Sequence, residues 1–250
     1  MRPAKESSLT GKTFADEIGH WIGLQVKMAG ARGAVVGMSG GLDSSITAIL
    51  CKRALGDDVQ GLILPCHSDP ADEEHARLVA RLFDIRVDKI DLGPVLDVLL
   101  GCLPEDGEVP VANLKPRLRM ITLYYCSNRL DYLVVGTGNK SELMTGYFTK
   151  YGDGGVDILP LGGLLKTEVR DLAKELGVPV EIMEKPPSAG LWMGQTDEGE
   201  LGIAYEELDQ ALRTLESVHG YQPEGEVLTR VSEMVSRSQH KRAPIPTYQP

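Results

Sequence analysis

The chain has 250 residues, is 42% hydrophobic and carries a formal net charge of −10. That is the composition of an ordinary globular protein organised as one domain over residues 1–250. A broad basic face for nucleic acid is excluded at this charge, so any anionic ligand must be gripped by a local pocket. No apolar run reaches membrane length, the amino terminus lacks a secretory h-region, and the expected location is the cytoplasm.

The first element is an amphipathic helix over 14–29, with Phe14, Ile18, Trp21, Ile22 and Val26 at helical spacing. Short strands are then predicted at 34–38, 61–66, 84–92 and 132–138. The first, second and fourth are almost continuously apolar, as parallel strands covered on both faces should be. Helices are predicted between them at 44–55, 72–83 and 113–130, with Pro116 in a first turn where its missing N–H does no harm. This alternation predicts an α/β fold with a doubly wound, mainly parallel sheet flanked by helices. Beyond 138 the pattern loosens into a glycine-rich stretch, helices resume at 166–176, 203–217 and 226–237, and 185–200 reads as a mobile segment. Cys51, Cys66, Cys102 and Cys126 have no C-x-x-C spacing and read as reduced core thiols.

The chemistry concentrates first in "SGGLDSS", residues 39–45, at the turn between the first strand and its helix. In an open parallel sheet this turn faces the ligand crevice. Gly40 and Gly41 expose backbone N–H groups, and the following helix directs its positive end to the same point. Asp43 beside a phosphate implies an intervening cation such as Mg2+; as a plain helix cap it would need none. The pattern is neither a P-loop nor a dinucleotide fingerprint.

S-G-G-x-D-S resembles the pyrophosphate loop of the N-type ATP pyrophosphatases, whose fold is adenine nucleotide alpha hydrolase-like. Residues 136–179, with "NLKPRLRM" and "HKRAPIP", resemble NAD synthetase in particular, so that the similarity runs from about residue 33 to the end. The resemblance implies that deamido-NAD is activated by ATP, with release of pyrophosphate, and that ammonia then displaces AMP to give NAD. It implies ATP contacts at Gly37, Met38, Ser39, Gly40, Gly41, Leu42, Asp43, Ser44, Thr137, Lys166 and Ser188. It implies deamido-NAD contacts at Arg117, Lys150, Asp157, His240 and Lys241, and Mg2+ at Asp43 and Glu142.

Asp153 and Lys166 are the catalytic candidates: Lys166 as a fixed cation for the adenylating transition state, Asp153 as the group that orients ammonium and takes its proton. Without the resemblance, "GDGG" reads first as a turn. Ser188 stands where threonine is common in the family, and Ile63 where many relatives place an arginine. The family includes glutamine-using members with an added amidase domain, for which these 250 residues leave no room; free ammonia is the expected donor and a homodimer the expected assembly. A tRNA-modifying relative would need a basic surface, and a nucleotide sensor would have lost Asp43, Glu142 or Lys166.

Overall fold

The computed structural model describes residues 13–105, 107–192, 194–217 and 225–249; the segment 1–12, read above for a leader sequence, lies outside them. Four parallel strands, β1 (Gly33–Gly37), β2 (Val59–Ile63), β3 (Arg86–Lys89) and β4 (Tyr132–Val135), lie in the order β3-β2-β1-β4. Registers Ala34 to Val59, Gln60 to Arg86 and Gly33 to Tyr132 fix the sheet. A single bridge from Val135 to Ile158 continues it past β4. Order reverses between β1 and β4, and the crevice that opens there is where doubly wound sheets bind ligands.

Helix α1 (Phe14–Met28) starts at Thr13, whose hydroxyl accepts from the Asp16 N–H while the Asp16 carboxylate accepts from the Thr13 N–H. Its stripe Ile18, Ile22 and Val26 is buried against α2 (Leu42–Leu55). Helix α3 (Pro70–Leu82) is opened by the Asp69 side chain and by Pro70 at its first turn. Ile18 and Ile22 of α1, Ile46 and Ile49 of α2 and Val79 of α3 join Val36, Ile63 and Val135 in the largest core cluster.

The opposite face is covered by α4 (Gly93–Cys102) and, after the short α5 (Glu108–Ala112), by α6 (Leu114–Leu130). There Leu96 and Leu118 pack on Val35 and Leu62. Alternate β1 residues therefore feed opposite cores, as a sheet with two covered faces requires. Only β3 departs from the apolar pattern, because it is the edge strand and its residues are largely exposed.

After β4 come α7 (Lys140–Thr145), α8 (Lys166–Leu176), α9 (Val180–Met183), α10 (Asp197–Leu201), α11 (Tyr205–Ser217), α12 (Glu226–Arg237) and α13 (Gln239–Arg242). Helix α8 returns to the α1/α2 face, while α11 and α12 form their own cluster around Tyr205, Leu208, Leu212 and Val231. All four cysteines are free thiols, but the expectation that each is a core residue fails at Cys102, which is exposed at the end of α4. Cys51 is fully buried, and desolvation pushes its thiol up to about 12.

Candidate active site

The loop after β1 is built as an anion cradle. Gly40 has φ +77°, and a Cβ there would come within 2.1 Å of the Asp72 carbonyl, so the turn packs on α3 only as glycine. Ser39 and Ser44 are joined by their hydroxyls at 3.0 Å, and Ser44 and Ser45 donate to the Gly41 carbonyl at 3.0 and 2.8 Å. The cap position, Gly41, has no side-chain capping bond. The first N–H groups of α2 are therefore left facing the crevice, with the positive end of the helix dipole behind them. Met38 is buried, Gly37 and Leu42 are partly buried, and Thr137 lies across the crevice after β4.

Asp43, in the first turn of α2, is the centre of a charged trio. Lys166 Nζ forms a short ion pair with Asp43 Oδ2 and lies 3.6 Å from Glu142 Oε1. The Lys166 side chain is only 3% exposed, against 16% and 17% for the two carboxylates. Burial disfavours the charged lysine, but Asp43 and Glu142 outweigh it and hold the ammonium above its ordinary range. Glu142 is pushed up by burial and by Asp43, with Lys166 acting in the opposite direction.

The trio is assembled by helix-capping chemistry. The Asn139 side chain accepts from the Glu142 N–H at 3.0 Å while Glu142 Oε2 accepts from the Asn139 N–H at 3.1 Å, which starts α7. The Asn139 amide then donates to Asp43 Oδ1 at 3.0 Å, tying the loop after β4 to the loop after β1. Fully buried Asp209 accepts from Ser141 Oγ and, at 2.8 Å, from the Thr167 N–H, and so fixes α8 and Lys166 from behind. Asn139 and Asp209 escaped the sequence reading. Asn139-x-x-Glu142 was the signal for the first; for Asp209, one acidic residue of an amphipathic helix, there was none.

Among the described residues no cluster of three or more acidic, His or Cys side chains could by itself hold a metal ion. Two converging carboxylates suit Mg2+ all the same, because that ion keeps waters and commonly shares substrate phosphates. Asp197, buried beneath the trio, accepts from the Tyr205 hydroxyl at 2.9 Å, and Lys166 lies 5.3 Å from the centre of the Tyr205 ring.

A second group of cations lies beyond α6. The Arg117 guanidinium donates to the Lys150 carbonyl at 3.3 Å, and Lys150 Nζ to the His240 carbonyl at 2.7 Å. Lys241 Nζ donates to the Gly146 and Phe148 carbonyls at 2.7 and 2.8 Å and lies 5.3 Å from the Phe148 ring centre. Asp153 accepts from the Thr149 N–H at 2.8 Å as a turn residue would. The crowded crevice raises its carboxyl above the usual range, against the pull of that bond and of Lys241 and Arg119.

Asp157 stands apart. Its two oxygens accept from the Tyr124 hydroxyl at 2.9 Å and the Val134 N–H at 2.7 Å, a clamp on β4. Exposed Ser188 lies in a segment that the structure finds folded onto the site. Lys185 pairs with Asp72, Lys115 donates to the Leu191 carbonyl, and Asp197 N–H to the Pro187 carbonyl at 2.9 Å. His67 bonds exposed Asp97 at 2.7 Å, whereas Nδ1 of His75 is buried without a partner among the described residues.

The family model described as NAD synthase matches residues 14–245. The NH3-dependent NAD(+) synthetase of Archaeoglobus fulgidus is 50% identical over 220 residues, 87% of this chain and 88% of the relative. Among solved structures, the NMN synthetase of Francisella tularensis superposes with a TM-score of 0.86 at 36% identity, over 94% of this chain and 96% of that one. The NH3-dependent NAD synthetase of Campylobacter jejuni gives 0.80 at 28% identity, over 94% and 97%. With the anion cradle at the switch point and a model match spanning nearly every described residue, the chain belongs to the NAD synthase family.

Proposed function

We propose that this chain is an ammonia-dependent ligase that converts deamido-NAD to NAD with ATP, releasing AMP and pyrophosphate, and that it works as a cytoplasmic homodimer. The observation that carries the reading is the convergence of Asp43, Glu142 and Lys166 on the anion cradle, in a chain of this family.

The cradle residues Gly37 to Ser44, with Thr137 and Ser188, hold the triphosphate through backbone N–H groups and hydroxyls. Asp43 and Glu142 are the residues that would hold Mg2+, and the ion would supply positive charge to offset that of the phosphates. Lys166 lies between those carboxylates and donates toward the same phosphates, so its charge is in position before the reaction starts.

A nicotinate carboxylate oxygen bonds to the α-phosphorus as the bond to pyrophosphate breaks. Ammonia then bonds to the acyl carbon and AMP leaves. The deamido-NAD phosphates are met by Arg117, Lys150 and Lys241, whose side chains have carbonyls rather than carboxylates as hydrogen-bond partners. His240 borders that seam through its carbonyl, and Asp157, held in its clamp on β4, is the remaining family position for this substrate. Asp153, accessible in its crevice and drawn by Lys241 and Arg119, accepts the proton that ammonium must lose before its nitrogen can attack.

The dimer reading rests on apolar side chains exposed side by side on two packed helices: Val95 and Val98 on α4, Ile121 and Tyr125 on α6. Light scattering of the purified chain checks it, with twice the chain mass expected. The reaction is tested by supplying ATP, Mg2+, deamido-NAD and ammonium and quantifying products. Equal amounts of NAD, AMP and pyrophosphate are expected; ADP and orthophosphate would overturn the mechanism.

The likeness to NMN synthetase adds a second reading, in which the acid mononucleotide is the preferred substrate. The same assay with nicotinate mononucleotide decides it, and a higher kcat/KM for the dinucleotide is expected.

A further inference from the structure

Two cations of α6, Lys115 and Arg119, have so far been given no ligand of their own. Four residues apart, they share one face of the helix with Cβ atoms roughly 6 Å from each other. Lys115 is buried, and its ammonium donates to a single partner among the described residues, the Leu191 carbonyl at 2.5 Å. Arg119 donates through Nε to the Leu64 carbonyl at 3.0 Å and through Nη2 to the Ser68 hydroxyl at 3.1 Å, leaving Nη1 without a partner among the described residues. No carboxylate of the described residues pairs with either side chain. Burial lowers the proton affinity of both, and Arg119 adds its repulsion at Lys115, while Asp153 and Asp72 pull the other way on Arg119 from beyond hydrogen-bond reach. An anion seated between them would relieve both costs.

Their surroundings say which anion. Leu64 and Ser68 belong to the turn between β2 and α3, and α3 abuts the phosphate cradle where the Asp72 carbonyl meets Gly40. On the other side Arg119 acts electrostatically on Asp153. Leu191 belongs to the segment that carries Ser188. The pair therefore lies between the cradle, the Asp153 crevice and the folded-over segment.

We propose that Arg119 and Lys115 bind the one phosphoryl group shared by both half-reactions, the α-phosphate of ATP that becomes the phosphate of the adenylated intermediate. This rests on the function proposed above. As the carboxylate oxygen bonds to phosphorus and the bond to pyrophosphate breaks, the electron pair leaves with pyrophosphate. Charge on the non-bridging oxygens is then met by Nη1 of Arg119 and by the ammonium of Lys115. Neither group gives up a proton. In the second step they hold AMP as leaving group while ammonia attacks the acyl carbon.

The test is pyrophosphate release in a single turnover, without ammonium, at saturating ATP, Mg2+ and deamido-NAD. Arg119→Gln, which keeps a donor near the Leu64 carbonyl but no charge, should slow release about 100-fold. Arg119→Lys should recover about tenfold of that loss, and added guanidinium ion should speed Arg119→Ala, a rescue that a packing role would not give. Lys115→Met should slow the same step about tenfold while the KM for ATP changes less.

If the unchanged chain forms no NAD when ammonium is added, the functional reading falls and this one with it. If it does, a full rate in Arg119→Gln overturns the phosphate role alone. Equal losses in Arg119→Gln and Arg119→Lys, with a lowered thermal transition and no rescue by guanidinium, also overturn it.

Discussion

Lys166 and Lys241 are both held by several partners, yet they are treated in opposite ways. Lys166 is 3% exposed and set against two carboxylates, so its charge is balanced inside the protein. Lys241 is partly exposed and held by two carbonyls, so its charge is directed but not cancelled. The first arrangement suits a cation that must stay in position next to a metal and a triphosphate. The second leaves positive potential for an incoming anion, in a chain whose net charge is −10.

The largest effects should fall on the balanced trio. Asp43→Asn keeps the shape of the side chain but removes one of the two carboxylates proposed to hold Mg2+, and turnover should fall about 1000-fold with the fold intact. Lys166→Met should be as inactive and, by leaving two partly buried carboxylates without their cation, also less stable by about 3 kcal/mol. Denaturant titration checks the second claim. A Lys166→Met chain as stable as the unchanged one would break the contrast between the two lysines.

Lys241→Met leaves behind two carbonyls and no hydrogen-bonded carboxylate, so about 1 kcal/mol of stability is expected to be lost. Its KM for deamido-NAD should rise about tenfold with kcat nearly unchanged, the signature of lost ground-state binding. Steady-state kinetics with each substrate varied separately checks this; a KM rise for ATP instead would place Lys241 on the wrong substrate.

The folded-over segment comes next in size. Shortening it between Ser188 and Gln195 should let water reach the adenylated intermediate and raise the ratio of AMP to NAD from one to about two. A ratio that stays at one would make the segment a passive linker. The smallest effect is expected at Cys102, exposed at the end of α4 and away from both lysines: alkylating it first should leave turnover unchanged, while buried Cys51 resists the reagent. Peptide mass mapping during inactivation checks the order.

The elements with clear periodicity were legible in the sequence, and the helix expected at 14–29 is found at Phe14–Met28. The second strand begins two residues earlier than expected, because Val59 pairs with Ala34 although Gln60 interrupts the apolar run. The third shrinks to Arg86–Lys89, since an edge strand needs no apolar face. Helix α4 was missed: "GPVLDVLLGC" is too uniformly apolar to show a period. Helices α7 and α10 were hidden in stretches read as loop, although Asn139 and Thr196 are cap residues in plain sight.

Within the site, Gly40, Gly41 and Asp43 stood out at the strand-helix junction, whereas Glu142 and Lys166 were expected beside them only through the family resemblance; the structure brings the three charged side chains together. The clamp of Asp157 on Tyr124 and Val134 could not be read, since it depends on long-range pairing. Nor could Arg119, which looks like one basic residue among several on α6 until Leu64 and Ser68 are brought to it.

In the proposed reaction the carboxylate of deamido-NAD attacks the α-phosphorus of ATP beside the trio. The most direct measurement uses deamido-NAD labelled with heavy oxygen in its carboxylate and follows the label by mass spectrometry after complete conversion with ammonium. The account predicts one labelled oxygen in the phosphate of AMP and none in pyrophosphate. Label in pyrophosphate, or AMP free of label while NAD is formed, would contradict it.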